Sequence, residues 1–146
     1  MRRVLVFSLL VVILSGCAQK AETQKLADGT CSTAQSKSVE KHISGQIDAL
    51  AKKDWEQAFS YASESFQENI GLEQFIRIIS GQYTMLIENQ GYRFSECAID
   101  VDKVTQKVEV TSNGSVYYLT YRVSINGSKL GIEGAVAGVA DTPVTV

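Results

Sequence analysis

The sequence of 146 residues predicts an α+β domain, with two to three N-terminal helices packed on a curved antiparallel sheet of about four strands. In the first half, apolar residues recur at helical spacing, whereas in the second half they alternate with polar residues. The alternating half also contains two Asn-Gly pairs, Asn113-Gly114 and Asn126-Gly127. Asn-Gly is the favoured two-residue hairpin turn, so this half is predicted to fold as a meander.

The helices are predicted from their apolar stripes and their capping residues. The stripe of the first helix has spacings of four, four and three residues: Val39, Ile43, Ile47 and Leu50. Asp54 is predicted to end this helix and to cap a second one, with Gln57 reaching back in a capping box. A short helical turn is expected at residues 63–66. A third helix should begin at Leu72 and end near Gly81.

The two turns define one inner face of the sheet. The first turn pairs Val108 with Leu119, and the second pairs Tyr121 with Ile132. The predicted inner face consists of Val104, Gln106, Val108, Val110, Tyr117, Leu119, Tyr121, Val123, Leu130, Ile132 and Val136. A further strand is predicted at residues 92–101, and a bulge near Ser95-Glu96 would reconcile the two phases of its alternation.

The N-terminus has the pattern of an export signal. Arg2 and Arg3 precede an apolar run at residues 4–14, which as a helix would span roughly 16 Å and cannot cross the ~30 Å hydrocarbon core. The run ends in Leu14-Ser15-Gly16-Cys17, which resembles the lipobox of bacterial lipoproteins.

The lipobox resemblance implies that the chain is cut before Cys17 and that this cysteine is lipidated, which anchors the protein in the membrane of the bacterial envelope. In a Gram-negative host, Ala18 after the cysteine resembles the outer-membrane class, facing the periplasm. An ordinary secretory signal with an incidental cysteine is the alternative. The predicted segments are a signal peptide at 1–16, a polar tether at 17–37, the domain at 38–138 and a tail at 139–146.

Charge and cysteine content restrict the partners and the compartment. Loss of Arg2 and Arg3 with the signal lowers the formal charge from −2 to −4, which gives no electrostatic support to a nucleic-acid partner. Outside the cytoplasm, Cys31 and Cys97 can form a disulfide. Two unrelated cysteines, one exposed and one buried, are the alternative.

The helix and strand order resembles an uncharacterised bacterial family of the cystatin-like and nuclear-transport-factor-2-like superfamily, over residues 39–138. The residues that carry the resemblance are Ile47-Asp48-Ala49-Leu50, Asp54, Ala58-Phe59, Ala62-Ser63, Phe66-Gln67, Gly71, Phe75, Tyr83 and Leu130-Gly131-Ile132-Glu133-Gly134. Leu130 stands where that family has an aromatic residue. The resemblance implies that enzymes of this superfamily would place an Asp or His beside a Tyr, inside a cone between helices and sheet.

The predicted inner face contains no carboxylate and no histidine, which argues against acid–base catalysis. Gln106 and Tyr121, with Tyr83, are candidate ligand-binding residues; alternatively, Gln106 and Tyr121 satisfy each other or lie at the sheet rim. His42 lies at the edge of the first helical stripe without a predicted partner. The cysteine spacing predicts no metal site, and no cofactor motif is found.

The sequence therefore favours a lipid-anchored envelope protein that presents a small non-catalytic binding or interaction module. A small-ligand-binding protein or an enzyme with a pocket between helices and sheet is the alternative. A protein partner or a homodimer could be bound through the sheet face.

Overall fold

A computed structural model describes residues 29–139 of the chain. Five helices precede the main strands: α1 Thr33–Ala51, α2 Trp55–Ser60, α3 Glu64–Asn69, α4 Leu72–Gln82 and α5 Thr84–Ile87. The strands are β1 Gly29–Thr30, β2 Asn89–Asp100, β3 Lys103–Ser112, β4 Ser115–Asn126 and β5 Lys129–Val139. The signal segment, Cys17, most of the predicted tether and the tail from residue 140 lie outside the described residues.

The five strands form one antiparallel sheet in the order β1-β2-β3-β4-β5, and the helices pack on it. The predicted α+β class is therefore confirmed. The sheet has five strands rather than about four, because the two-residue β1 pairs with Ile99 and Ala98 of β2. A two-residue strand has too little side-chain alternation to be recognised in a sequence. In the described part of the chain, no helix has the length and apolar character needed to cross a membrane.

Helix α1 begins earlier than its apolar stripe indicated. Ser32 is the N-cap, and it exchanges hydrogen bonds with Gln35: the Ser32 hydroxyl accepts from the Gln35 amide at 3.3 Å, and the Gln35 side chain accepts from the Ser32 amide at 2.8 Å. The first turns are polar, so periodicity alone missed them. Part of the range 17–37 predicted as a tether thus belongs to the folded domain. The predicted apolar stripe is fully buried.

Asp54 caps α2, as predicted, by accepting a hydrogen bond from the Gln57 amide at 3.2 Å. The other half of the predicted capping box does not form, because the Asp54 amide donates to the Ala49 carbonyl oxygen at 2.9 Å instead. Helices α3 and α4 correspond to the predicted short turn and third helix, and α4 begins at Leu72 and ends at Gln82, next to Gly81, as predicted.

The first hairpin has the predicted register. Asn113 and Gly114 adopt φ angles of 49° and 76°, as a type I′ turn requires, and Val108 pairs with Leu119 while Gln106 pairs with Tyr121. The predicted bulge in β2 is also confirmed, since the register shifts between Phe94 and Cys97.

The predicted register of the second hairpin is wrong. The turn residues are Gly127 and Ser128 rather than Asn126 and Gly127, and only Gly127 has a positive φ, +62°. Glycine followed by a residue with negative φ is typical of a type II′ turn, which competes with the Asn-Gly type I′ turn. Together with the register shift described below, this turn pairs Tyr121 with Ala135 and not with Ile132.

A second register shift alters the inner face of β5. It lies between two neighbouring residue pairs, Val123 with Ile132 and Arg122 with Gly134, where β5 has one extra residue. The extra residue reverses the alternation beyond it. Val136, predicted on the inner face, is therefore 74% exposed, whereas the predicted inner residue Ile132 is buried.

Both edges of the sheet are partly covered. At the β2 edge, β1 pairs with the strand, and the predicted disulfide between Cys31 and Cys97 is present, with the Cα atoms 5.4 Å apart. At the β5 edge, the connection between α2 and α3 forms a bridge from Ala62 to Ile132. Covered edges protect a sheet from unwanted strand pairing.

Candidate functional site

A cavity of about 120 Å³ lies between the helices and the last two strands. Helices α1, α3, α4 and α5 and the connection between α2 and α3 contribute to its wall, and β4 and β5 form the side toward the sheet. The wall is formed by Gln46, Ala62, Phe66, Phe75, Ile78, Ile79, Tyr83, Leu86, Tyr121, Ile132, Gly134 and Ala135. No charged side chain is among these residues.

An aromatic cluster holds the helical side of the cavity in place. The Phe75 ring lies 5.4 Å from the Phe59 ring and 6.3 Å from the Phe66 ring, at angles of 48° and 89°. Tilted and edge-on pairs of this kind add stability beyond the area that they bury. Phe66 and Phe75 fall within the predicted helical turn and the predicted third helix, and the structure places both rings on the cavity wall.

Tyr121 is the unusual residue of the wall. Its side chain is buried, with 1% exposure, and its hydroxyl has no hydrogen-bond partner within the described region. Leaving a buried hydroxyl unpaired costs roughly 1–3 kcal/mol, so most native structures avoid it. Because the hydroxyl oxygen is itself buried, a water-sized group in the cavity does not reach it.

Gln106 pairs with Tyr121 in the register. One interpretation of the sequence was that their side chains hydrogen-bond to each other, but they do not. The Gln106 Nε2 group donates to the carbonyl oxygens of Glu96 at 3.2 Å and Lys107 at 3.0 Å. Its Oε1 atom is buried and without a partner among the described residues. Gln106 is fully buried rather than at the sheet rim, and it does not line the cavity.

Tyr83, the third candidate, does line the cavity. Its hydroxyl donates a 2.6 Å hydrogen bond to the carbonyl oxygen of Ala135 in β5. The structure thus brings Tyr83 and Tyr121 to one cavity and leaves Gln106 outside it. Gln46, which also lines the cavity, donates from Nε2 to the Ala58 carbonyl at 3.3 Å; its place on the buried stripe gave no functional signal in the sequence.

The electrostatics of the cavity suit binding better than proton transfer. Burial, reinforced by the nearby Tyr83 and Tyr92, strongly raises the pKa of Tyr121 above its ordinary value of 10. The phenol therefore stays neutral at physiological pH and acts as a donor. A general acid or base works best when its pKa lies near the operating pH, and the raised pKa of Tyr121 lies far above it.

Replacement of Tyr121 by Phe should raise the free energy of unfolding by about 1 kcal/mol at pH 7, because it removes an unpaired buried hydroxyl. Above about pH 10 the gap should widen, since unfolding lets the tyrosine ionise while the folded state keeps it protonated. Urea denaturation at pH 7 and pH 11 measures both effects. Tyr118→Phe, at an exposed site, is the control and should change stability at pH 7 by less than about 0.5 kcal/mol.

A larger open cleft of about 740 Å³ lies between the α2–α3 connection and the second hairpin. Two ion pairs lie along it, Lys103 with Glu133 and Lys129 with Glu64 at 3.4 Å, and Asp102 also lines it. The Lys129–Glu64 pair is solvent-exposed and contributes little to stability, whereas the Lys103–Glu133 pair is part-buried.

His42 is half-buried, and its Nε2 atom lies 2.9 Å from the Tyr61 carbonyl oxygen. This contact, together with an edge-on ring packing at 5.1 Å, gives His42 a structural partner on α2's C-terminal side. Across residues 29–139, no group of three or more His, Cys, Asp or Glu residues is arranged to hold a metal ion.

Comparison with known families shows a match to one family model over most of this domain. Residues 32–137 match the family model described as a domain of unknown function, DUF4864. The chain belongs to the DUF4864 family. The match covers α1 to α5 and nearly all of β2 to β5, so the cavity lies wholly within the DUF4864 domain.

The curated proteins contain no match to the chain. Among solved structures, the DUF4864 domain is similar to Bdellovibrio bacteriovorus Bd1075, with a TM-score of 0.48 and 10% identity. The similarity covers 73% of this chain and 41% of Bd1075, so the chain spans less than half the length of that protein.

Proposed function

We propose that this protein is exported to the bacterial envelope, anchored there by a lipid on Cys17, and that its DUF4864 domain binds a small apolar molecule without catalysing a reaction. The observation that carries the binding function is the cavity between the helices and the sheet, whose wall has no charged side chain. Ligand sites are generally apolar concavities with a few polar groups that orient the ligand.

The disulfide supports export. Bonds such as the one between Cys31 and Cys97 persist in oxidising compartments and are rare in the cytosol. The lipobox-like Leu14-Ser15-Gly16-Cys17 adds a route to the membrane, because several acyl chains on one residue give stable anchoring. In a Gram-negative host, the proposed location is the periplasmic face of the outer membrane.

Membership of the cystatin-like and nuclear-transport-factor-2-like superfamily is part of the proposal. It is supported by the order of the elements, with the helices α1 to α5 before the four long strands. It is also supported by the position of the cavity, which lies between the helices and the sheet, where this superfamily has its cone.

Intact-mass spectrometry of the protein extracted from envelopes tests the anchoring. The expected species begins at Cys17 and carries the added mass of a diacylglyceryl group. A Cys17→Ser variant is the matched control and should lack the acyl mass. A chain that still begins at Met1, or one that is cleaved but unacylated, contradicts the proposed location.

A second candidate function, pairing with another copy of this chain, is favoured by the outer face of the last two strands. Val136, Tyr118 and Val116 are 74%, 46% and 37% exposed there. Tyr118 pairs with Gly138, and Thr120 pairs with Val136, so the apolar residues are diagonal neighbours. An exposed apolar face of this kind can pack against the same face of a second copy around a twofold axis.

Light scattering of the mature Cys17→Ser chain distinguishes this candidate. A dimer mass that reverts to a monomer in Val136→Lys, while Thr105→Lys, at an exposed outer-face position on β3, remains dimeric, supports self-association. A monomer mass at every concentration rejects it.

A further inference from the structure

We propose that Asn126 is a site of spontaneous deamidation, whereas Asn113, which lies in the same Asn-Gly-Ser context, is protected from this reaction by Glu88. The two sites form a matched pair within one chain. The sequence predicted a hairpin turn at both Asn-Gly pairs, but the structure uses only the first pair as the turn itself and holds the two asparagine side chains differently.

Deamidation at an Asn-Gly pair needs only water as a co-reactant. The amide nitrogen of Gly127 attacks the Cγ atom of Asn126, so that a C–N bond forms and the Cγ–Nδ2 bond breaks. The amide proton leaves with the Nδ2 group as ammonia. Water then opens the resulting five-membered imide at one of its two carbonyl carbons, which gives aspartate or isoaspartate. Glycine favours the ring closure because it has no Cβ atom and adopts many backbone angles.

The side chain of Asn113 is held away from this reaction. Its Nδ2 group donates a 2.9 Å hydrogen bond to Oε2 of Glu88. Glu88 is itself fixed, because its amide donates to the Thr84 carbonyl oxygen at 2.9 Å and its carbonyl oxygen accepts from the Ser112 hydroxyl at 3.1 Å. Ring closure at Asn113 must therefore break a hydrogen bond to a charged carboxylate and also distort the turn, in which Asn113 has a φ of 49°.

The side chain of Asn126 has no such restraint. It is exposed, and within residues 29–139 it makes no hydrogen bond. Gly127, which supplies the attacking nitrogen, is also exposed. Because the turn is formed by Gly127 and Ser128, Asn126 is the last residue of β4, and its side chain can rotate toward the Gly127 nitrogen without breaking a side-chain contact.

The product alters the open cleft beside the second hairpin. Asn126 lines that cleft with Asp102 and Lys129, and it pairs with Lys129 across the turn. A carboxylate at position 126 competes with Glu64 for the Lys129 ammonium group. The isoaspartate form also lengthens the backbone where the turn begins. Deamidation of Asn126 therefore changes the charge of this cleft as the protein ages.

Tryptic peptide mapping measures the two sites separately, because residues 108–122 contain Asn113 as their only asparagine and residues 123–129 contain only Asn126. The purified full-length chain is incubated in mildly alkaline buffer, and the mass gain of an amide-to-acid exchange gives the converted fraction. In the folded protein, Asn126 should convert about tenfold faster than Asn113, which corresponds to one hydrogen bond to a charged group. In urea, the two sites should convert at similar rates.

Variants at Glu88 test the protection. Glu88→Ala removes the acceptor and should raise the rate at Asn113 about tenfold while the rate at Asn126 stays unchanged. Glu88→Gln keeps an acceptor oxygen and should retain most of the protection. If the two sites convert equally fast in the folded protein, or if Asn126 stays intact while the unfolded chain converts, Asn126 is not the proposed site. If Glu88→Ala leaves Asn113 as slow as before, the role of Glu88 is wrong.

Discussion

Removal of the Cys31–Cys97 disulfide should lower the free energy of unfolding by about 4 kcal/mol, since the bond closes a loop over a sequence separation of 66 residues. The closed loop restricts the unfolded chain, and the bond also fastens β1 and the start of α1 to β2. Cys31 further donates its amide to the Cys97 carbonyl oxygen at 3.1 Å. The domain should nevertheless remain folded, because the apolar stripe of α1 stays buried without the bond.

The measurement is urea denaturation of Cys31→Ser/Cys97→Ser beside the parent, both in the Cys17→Ser background so that no third thiol interferes. Reduced parent protein is the matched control and should unfold at nearly the same urea concentration as the double variant. Equal midpoints for the oxidised parent and the double variant would show that the bond contributes nothing.

Replacement of Gly131 by Ala should destabilise the domain by about 3 kcal/mol or more. An added Cβ would lie 2.6 Å from the Cα atom of Ser63 and 2.8 Å from its Cβ atom, closer than such atoms approach. The clash involves backbone, so a side-chain rotation cannot relieve it.

Two backbone hydrogen bonds also fix β5 beside Gly131 to the connection between α2 and α3. The Ser63 amide donates to the Ile132 carbonyl oxygen, and the Ile132 amide donates to the Tyr61 carbonyl oxygen, both at 2.9 Å. Relief of the clash would break this bridge and uncover the β5 edge. Loss of the bridge should also open the wall of the cavity at Ile132.

Gly138→Ala on the same strand is the control, because its added Cβ would meet only the Tyr118 carbonyl oxygen at 4.0 Å. Its stability should stay within about 0.5 kcal/mol of the parent. Thermal and urea unfolding of the pair measure the difference. If both variants have the same stability, the close packing of Gly131 on Ser63 is wrong.

The parts of the fold that depend on local chemistry were predictable. Asn113-Gly114 fixed the first hairpin because both residues must adopt positive φ, and the register that it imposed placed Gln106 beside Tyr121 correctly. The capping of α2 by Asp54 likewise depends on one side chain and a neighbouring amide.

The second hairpin was not predictable in the same way, because Asn126-Gly127 and Gly127-Ser128 are both acceptable turns. Tertiary contacts on β5 distinguish them: Ile132 must reach the Ala62 bridge, and a register shift then turns Val136 outward. A pattern that counts residues from the turn cannot detect a register shift further along the strand, between Ile132 and Gly134.

The sequence predicted that Tyr83 and Tyr121 belong to the candidate site, but it did not predict the shape of the cavity or the hydrogen bonds around it. Alternation placed Tyr121 on the inner face, but the missing partner of its hydroxyl results from three-dimensional packing around the cavity. Gln106 was grouped with it because paired residues share a face, yet its amide bonds to the bulged segment of β2 at Glu96 instead. Volume and enclosure arise from all the elements together.

The central claim is that an accessible apolar cavity exists beneath the helices, and xenon tests it most directly because xenon binds apolar cavities without needing a polar partner. The experiment is diffraction from a crystal of the mature Cys17→Ser chain held under xenon pressure. The account predicts a xenon atom in contact with Phe75, Ile132 and Tyr121. A well-ordered domain with no xenon among these residues, and with side chains filling the space, would contradict it.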